Sequence, residues 1–504
     1  MNTLRHYPLG ERCPDSPHAV VSCLPTMADV CGYEEREARV LAALKSGYPR
    51  FVEHAFVSEL IGFYLERENL EGRSAVLIPG RRATQDLVDY VGQGATTLRV
   101  DEDLFCVHFD GNHRGLNQRI RKFVQHTGCG ISSRLAEDLL VAHGLREAVV
   151  AESLLEVGPL EYVESELADL IGCQPKDILV CSSGMNAFYS AFRAVQEAQS
   201  AKGRRQWLQI GWLYLDSGCV LKEFLDQEES LGYCYDATDT DAIVAAIEAR
   251  GDTLACVVIE CPTNPLVQVA DLEYIAAAVR KQGGILLIDP TIASVYNVDV
   301  LRYCDILTTS LTKYAAHQGD VMIGALALNP RSPHYGDLVL RTSGFYQPPY
   351  GRDLARLGEQ LKHAPAAVTQ MDRNARALAD HLKNHAAIKR VHYAGYSDHF
   401  GDVAKATALG GAVITIELHE TFELFYDALS TMKGPSFGTD FTLACPFMYL
   451  AHYDLASSSE GREFLASVGI NPDLIRISVG TEALGDIVAC FDMALKSCIQ
   501  NPDT

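Results

Sequence analysis

The chain is as informative in what it lacks as in what it has. None of its 15 cysteines forms a CxxC pair, and no Cys/His spacing suits a zinc ion. An odd number of thiols in apolar surroundings, such as Cys181, Cys256 and Cys490, points to reduced core residues and a cytoplasmic protein. No apolar run approaches the roughly 20 residues a membrane span needs. The first residues carry Arg5, Glu11, Arg12 and Asp15 where a secretory signal would be apolar. There is no excess of positive charge either. A net charge of -22 repels phosphate backbones and anionic lipid, so neither nucleic acid nor membrane is an expected partner. No internal repeat or low-complexity tract is present.

What remains is 504 residues, 48% hydrophobic and 21% charged, enough for two or three soluble domains. Residues 1–150 show no clear α/β alternation. Pro8, Pro14, Pro17 and Pro25 imply an extended arm, and Val20, Val21, Leu24 and Met27 imply that the arm packs on something. A helix is expected over Glu35–Lys45 and another over Leu135–Ala142, the latter capped by Ser132 or Ser133 unless the preceding loop and Arg134 reach an anion.

From 151 to 330 the pattern becomes regular. Apolar strands are expected at Ile178–Cys181, Trp207–Tyr214, Leu254–Glu260, Gly284–Asp289 and Asp305–Ser310, with amphipathic helices Val163–Leu170, Asn186–Gln196, Thr240–Arg250 and Leu272–Lys281 among them. This predicts an α/β fold with a mostly parallel central sheet covered on both faces, and a ligand beyond the strands' carboxyl ends. Residues 331–504 read as a smaller C-terminal α+β domain. It would hold a long helix from Leu354 to His385, strands near Val391 and at Ala412–Leu418, and a helix at Phe422–Met432.

The stretch Cys304–Asp320 organises the rest. An apolar strand runs into Ser310 and Thr312 and then Lys313, a lysine that could form an imine with a carbonyl compound if the pocket desolvates it. Asp289 ends the neighbouring strand, where a carboxylate needs a cation: an arginine or a protonated heterocycle. SSGM, Ser182 to Met185, stands where a strand turns into a helix, and the free amides there suit a phosphate. Lysine, aspartate and helix amides are together the parts that hold pyridoxal 5'-phosphate.

With SSGM, ECPTNP (260–265), Asp289 with Thr291, SLTK, KGPSFGTDFTLACPF (433–447) and RISVGTE (476–482), the chain resembles the cystathionine γ-synthase group of transsulfuration enzymes, of fold-type I among pyridoxal phosphate enzymes. LPTMADV, SGYPRFV and QHTG in the first third are similar to its extended, fungal-type form. The resemblance implies that Lys313 bonds the cofactor and shuttles protons, and that Asp289, beside Thr291, pairs with the ring nitrogen. It implies that Ser183, Gly184, Met185, Ser310 and Thr312 surround the phosphate, that Tyr214 stacks on the ring, and that Arg476 grips the substrate's α-carboxylate. A homodimer or homotetramer acting on a small amino acid is implied too.

Two departures stand out. Leu215 and Asp216 replace the glycine pair usual after the tyrosine. A tyrosine–arginine pair reaching the phosphate from a neighbouring subunit is not recognisable, which leaves Arg134, His126 or Arg121 for that task. The expected reaction is replacement at Cγ of an activated homoserine ester by cysteine; the alternative is γ-elimination of a thioether or halide in a specialised amino-acid pathway.

Overall fold

A computed structural model of the chain describes residues 3–49, 51–226, 229–419 and 422–499. Its centre is a seven-stranded sheet built from β1 (Ile178–Cys181), β2 (Gln206–Ile210), β3 (Ser230–Cys234), β4 (Leu254–Glu260), β5 (Ile285–Asp289), β6 (Ile306–Ser310) and β7 (Gly324–Leu328). The spatial order is β1-β7-β6-β5-β4-β2-β3. All pairs are parallel except those made by β7, which runs against both β1 and β6.

The series of strands therefore does not end at β6, as the sequence suggested. GALAL is short and rich in alanine and glycine, which hides a strand whose partners on both sides supply the bulk.

The strands are apolar throughout because both faces are covered. On β4, Leu254, Val257 and Ile259 join one core cluster while Ala255, Cys256 and Val258 join the other. Helices Pro159–Ile171, Thr240–Glu248 and Leu272–Gln282 pack on the first face. The second face carries the helices Gly184–Ser200 and Leu215–Glu223. Each fully buried leucine or isoleucine here contributes about 1.5–3 kcal/mol relative to exposure.

The first third is more ordered than expected. Ser74–Pro79, Ala95–Asp101 and Leu104–Phe109 form a three-stranded antiparallel sheet, flanked by helices that include α1 (Arg114–Thr127) and Ser133–Ala142. The helix expected over Glu35–Lys45 shortens to Ala38–Ala43. The arm does pack: Leu24 N–H donates to Lys433 O, and Lys433 Nζ donates to Pro25 O at 2.8 Å. It lies on the C-terminal unit of its own chain.

That unit is a five-stranded sheet in which Val413–Leu418 and Ile475–Ser478 are central. The single long helix expected from Leu354 is two, Gly351–Leu361 and Ala364–Leu382, separated at Pro365, which starts the second helix. We call the helix Gly184–Ser200 α2 and the helix Leu215–Glu223 α3 below.

Candidate active site

The sheet order sets β4, β5 and β6 side by side, so that their carboxyl ends deliver Glu260, Asp289 and Ser310 in a row. β7 adds a constraint of its own. Gly324 pairs with Ser310 on one side and Cys181 on the other, and a Cβ at Gly324 would lie 2.4 Å from Ser183 O and 2.5 Å from Gly184 N. A Cβ at Gly184 would lie 2.9 Å from that of Ser310. Only glycine at both positions lets the start of α2 settle against the end of β6. Along this edge Ser182–Met185, Tyr214, Asp289, Ser310 and Lys313 stay half-buried while the strands behind them are closed to solvent.

Lys313 Nζ donates to Ser310 Oγ at 3.2 Å and lies 4.7 Å from the centre of the Tyr48 ring and 5.6 Å from that of Phe437. Asp289 Oδ1 accepts from Thr291 N–H at 2.9 Å and from its hydroxyl at 2.5 Å. Thr291 Oγ1 also accepts from Ser310 N–H at 3.0 Å, so this threonine braces two strand ends together. Burial pushes the Asp289 carboxyl up to about 6, against the pull of the Thr291 hydrogen bonds and the charge of Lys313. Glu260, opposite Asp289 in register, is pushed well up as well, first by burial and then by Asp289. Two carboxyls thus share one site. Among the described residues no cation lies within ion-pair distance of Asp289, so a protonated ring nitrogen would supply the charge this carboxylate lacks.

Arg476 is buried. Its Nη1 donates to Asn264 Oδ1 at 2.9 Å and Nη2 to Ser436 O at 3.2 Å, and its guanidinium carbon lies 4.9 and 5.0 Å from the ring centres of Phe437 and Phe447. No carboxylate among the described residues pairs with it. Glu482, a conceivable ion partner, instead accepts from Thr442 N–H and hydroxyl. A buried guanidinium held only by neutral groups could pair with a carboxylate.

Other expected residues sit differently. Ser183 Oγ caps α2 by accepting from Asn186 N–H, and donates to Gly128 O at 3.3 Å. Its hydroxyl is engaged in building the turn, while the amides of Gly184 and Met185 lie at the helix start. Thr312 Oγ1 exchanges hydrogen bonds with the backbone of Ile323, so the hydroxyl that contacts Lys313 is that of Ser310 alone. Tyr214 precedes α3; its N–H donates to Glu260 Oε1 at 2.5 Å and its hydroxyl to Asp216 Oδ2 at 2.9 Å.

The three candidates for a phosphate partner are each engaged within the chain. Arg134 is committed to Glu152, Asp353 and the carbonyl of Asp320 in a buried network. Ser132 caps its helix, the simpler reading of that loop. His126 is buried against Asp216 and Glu223, and Arg121 pairs with Glu53 at the surface. The residue that reaches Lys313 from the first third is Tyr48, whose hydroxyl is 2.8 Å from Ser436 Oγ. It lies in SGYPRFV, a motif whose Arg50 is outside the described residues. Phe437, Phe447 and Asn264 were also missed as site residues, although each lies inside a motif that carried the resemblance.

A lysine, a cation-seeking aspartate, a helix start beside a hydroxyl and a carboxylate-seeking arginine fit pyridoxal phosphate and an amino acid. The model of the Cys/Met metabolism PLP-dependent enzyme family matches residues 159–496. The chain belongs to that family.

Pyridoxal 5'-phosphate is therefore its cofactor, and its fold is that of the family's solved members. Cystathionine γ-synthase from Xanthomonas oryzae superposes with a TM-score of 0.56 at 24% identity, over 68% of this chain and 87% of that one. Cystathionine γ-lyase from Lactobacillus plantarum gives 0.57 at 23%, with the same coverage. Among relatives, the L-2-amino-4-chloropent-4-enoate dechlorinase/desaturase of Streptantibioticus cattleyicolor is 33% identical over 93% of this chain and 94% of its own. The cystathionine γ-synthase of Neurospora crassa is 25% identical over 97% and 98%. Similarity to these two spans the first third as well as the rest.

Proposed function

We propose that the chain removes a leaving group from Cγ of an amino acid and ends in elimination, with a γ-halide as the leaving group. The observation that carries the amino-acid chemistry is that Lys313 and Arg476 both lie beside the Phe437 ring, 5.6 and 4.9 Å from its centre, and the similarity to γ-acting relatives supports the γ position. One cation stands at the covalent end of a bound amino acid and the other at its carboxylate. The similarity to a dechlorinase/desaturase at 33% identity supports the halide.

In this reading Lys313 would hold the cofactor's aldehyde, Asp289 its ring nitrogen, Tyr214 one face of its ring, and Ser310 with the Gly184 and Met185 amides its phosphate. Bound pyridoxal phosphate supplies an electron sink for negative charge developing at Cα. The chain's own residues do the rest. Arg476 fixes the α-carboxylate and so aims the Cα–H bond at the Lys313 amine, which accepts that proton. Tyr48, Phe437 and Phe447 wall the two cations with apolar surface, which excludes water and strengthens both charge contacts. A second proton leaves Cβ as halide leaves Cγ, and the Lys313 ammonium returns one proton to the carbon skeleton, so that the net change is loss of one hydrogen halide.

Replacement by cysteine on a homoserine ester is the second reading, favoured by the similarity to cystathionine γ-synthases. Purified holoenzyme supplied with L-2-amino-4-chloropent-4-enoate should release chloride without any thiol. Cystathionine formed from O-succinyl- or O-acetylhomoserine plus cysteine, with no chloride release from the first substrate, would overturn elimination in favour of replacement. We also infer a homodimer or homotetramer in the cytoplasm. Family membership supports the first, and buried thiols such as Cys181, Cys256 and Cys304 support the second. Light scattering and cell fractionation test these.

A further inference from the structure

Asp216 is 1% exposed, yet it belongs to none of the groups assigned above. It occupies the first turn of α3, two residues after Tyr214. One carboxylate oxygen, Oδ2, accepts the Tyr214 hydroxyl at 2.9 Å. The other, Oδ1, accepts from Gln125 Nε2 at 2.7 Å and lies 3.6 Å from His126 Nε2. Gln125 and His126 stand at the end of α1, in the unit formed by the first third of the chain. His126 is 2% exposed, and its Nδ1 lies 3.3 Å from Glu223 Oε2 at the far end of α3.

Two other roles fit less well. His126, Asp216 and Cys219 bring ligand atoms within 4.8 Å of one another, as a metal site would. Donors from Tyr214 and Gln125, however, are already aimed at both oxygens of Asp216, which satisfies a carboxylate without a cation. A carboxylate in a first helical turn also complements the helix dipole, but an exposed one does that at no desolvation cost. Burying this one needs the three polar groups that surround it.

We propose that Asp216 is a positioning residue for Tyr214. It fixes the phenol oxygen and with it the plane of the ring, and it is itself held by Gln125 and His126, so that the first third of the chain sets the geometry of the pocket. A charge-assisted hydrogen bond at each oxygen gives the carboxylate one orientation, and a ring tethered at both its backbone N–H and its hydroxyl has little freedom left. The proposal rests on the reading that the Tyr214 ring lies on the cofactor.

The test is a double-mutant cycle on the holoenzyme with Asp216→Asn, Tyr214→Phe and the double variant. Visible circular dichroism of the bound cofactor is read beside kcat and KM. Asp216→Asn should change the visible ellipticity and lower kcat about tenfold or more, with KM within about twofold, as misorientation of a positioned group does. In the Tyr214→Phe background, which has no hydroxyl to hold, the same substitution should change neither readout further. Equal losses in both backgrounds, or no change in either, would overturn the proposal. Should Asp216→Asn fail to fold, Gln125→Met removes the donor to Oδ1 and keeps the carboxylate. It should produce a smaller change in the same readouts, again only when the Tyr214 hydroxyl is present; its absence would count against the proposal. Lys313→Ala separates the two levels. If that variant keeps the visible band of the wild type, the underlying reading fails. If the band is lost but the cycle shows no coupling, only the role of Asp216 fails.

Discussion

Replacing Asp289 by Asn should stabilise the cofactor-free protein at neutral pH while abolishing its use of the cofactor. The Asp289 carboxyl is pushed up to about 6 in the folded chain by burial, against about 3.9 for an unfolded aspartate. An acid whose folded pKa is raised contributes most below its unfolded value, and that contribution is lost as pH rises through about 6. At pH 8 the ionised carboxylate therefore costs the apo fold something. Two pH units correspond to about 3 kcal/mol as a ceiling. Asp289 is only half-buried and shares its field with Glu260, so we expect about 1–2 kcal/mol. Asn keeps an oxygen that can accept from Thr291 N–H and hydroxyl, so the substitution removes the charge and leaves the bracing. The assay is thermal or urea unfolding of both apoproteins from pH 5 to pH 8. The wild type should lose more stability than the variant over that range, and adding pyridoxal phosphate should reverse the order, because bound cofactor stabilises the wild type by far more. An Asp289→Asn apoprotein that is less stable than wild type at pH 8, or that has the same pH dependence, would refute this account of a carboxylate waiting for a cation.

Other perturbations test the geometry directly. Gly324→Ala places a Cβ 2.4 Å from Ser183 O, so β7 or the start of α2 must move. Cofactor affinity, measured by titration of the apoprotein, should fall at least about tenfold, with a stability loss of about 1–3 kcal/mol. Gly128→Ala, at φ +63° and with its Cβ 2.2 Å from Ser183 Oγ, should weaken cofactor binding in the same assay although residue 128 lies outside the large sheet. Arg476→Lys loses the planar fork now held by Asn264 and Ser436, and KM for the amino acid should rise about 10- to 100-fold, with the visible spectrum of the resting enzyme unchanged.

The parts of the fold that declared themselves in sequence were those whose residues answer to one local demand. β4 and β5 are uniformly apolar because both of their faces are covered, and a carboxylate at the end of such a strand is conspicuous. Asp289 and Lys313 stand out as candidates for that reason, and Arg476 through the motif around it. β7 was not, because GALAL answers to its neighbours: its glycine makes room for the turn at Ser183, and its alanines lie between β1 and β6. Thr312 was expected at the phosphate from the resemblance; in the structure its hydroxyl bonds the backbone of Ile323. The roles of Tyr48, Gln125 and His126 depend on contacts with residues 90 or more positions away, at Lys313 and Asp216, which no window of sequence contains. The same distance makes a functional point. If the first third of the chain were a detachable extension, its polar residues would face water. Instead Gly128 O accepts from Ser182 and Ser183 at the start of α2, Gln125 holds the carboxylate behind Tyr214, and Tyr48 covers the lysine. Two separate segments of that third, one at Tyr48 and one at Gln125–Gly128, end on different residues of the candidate site. Its removal would therefore strip hydrogen-bond partners from the buried Asp216 and from the turn at Ser183, a cost the large sheet alone has no groups to offset.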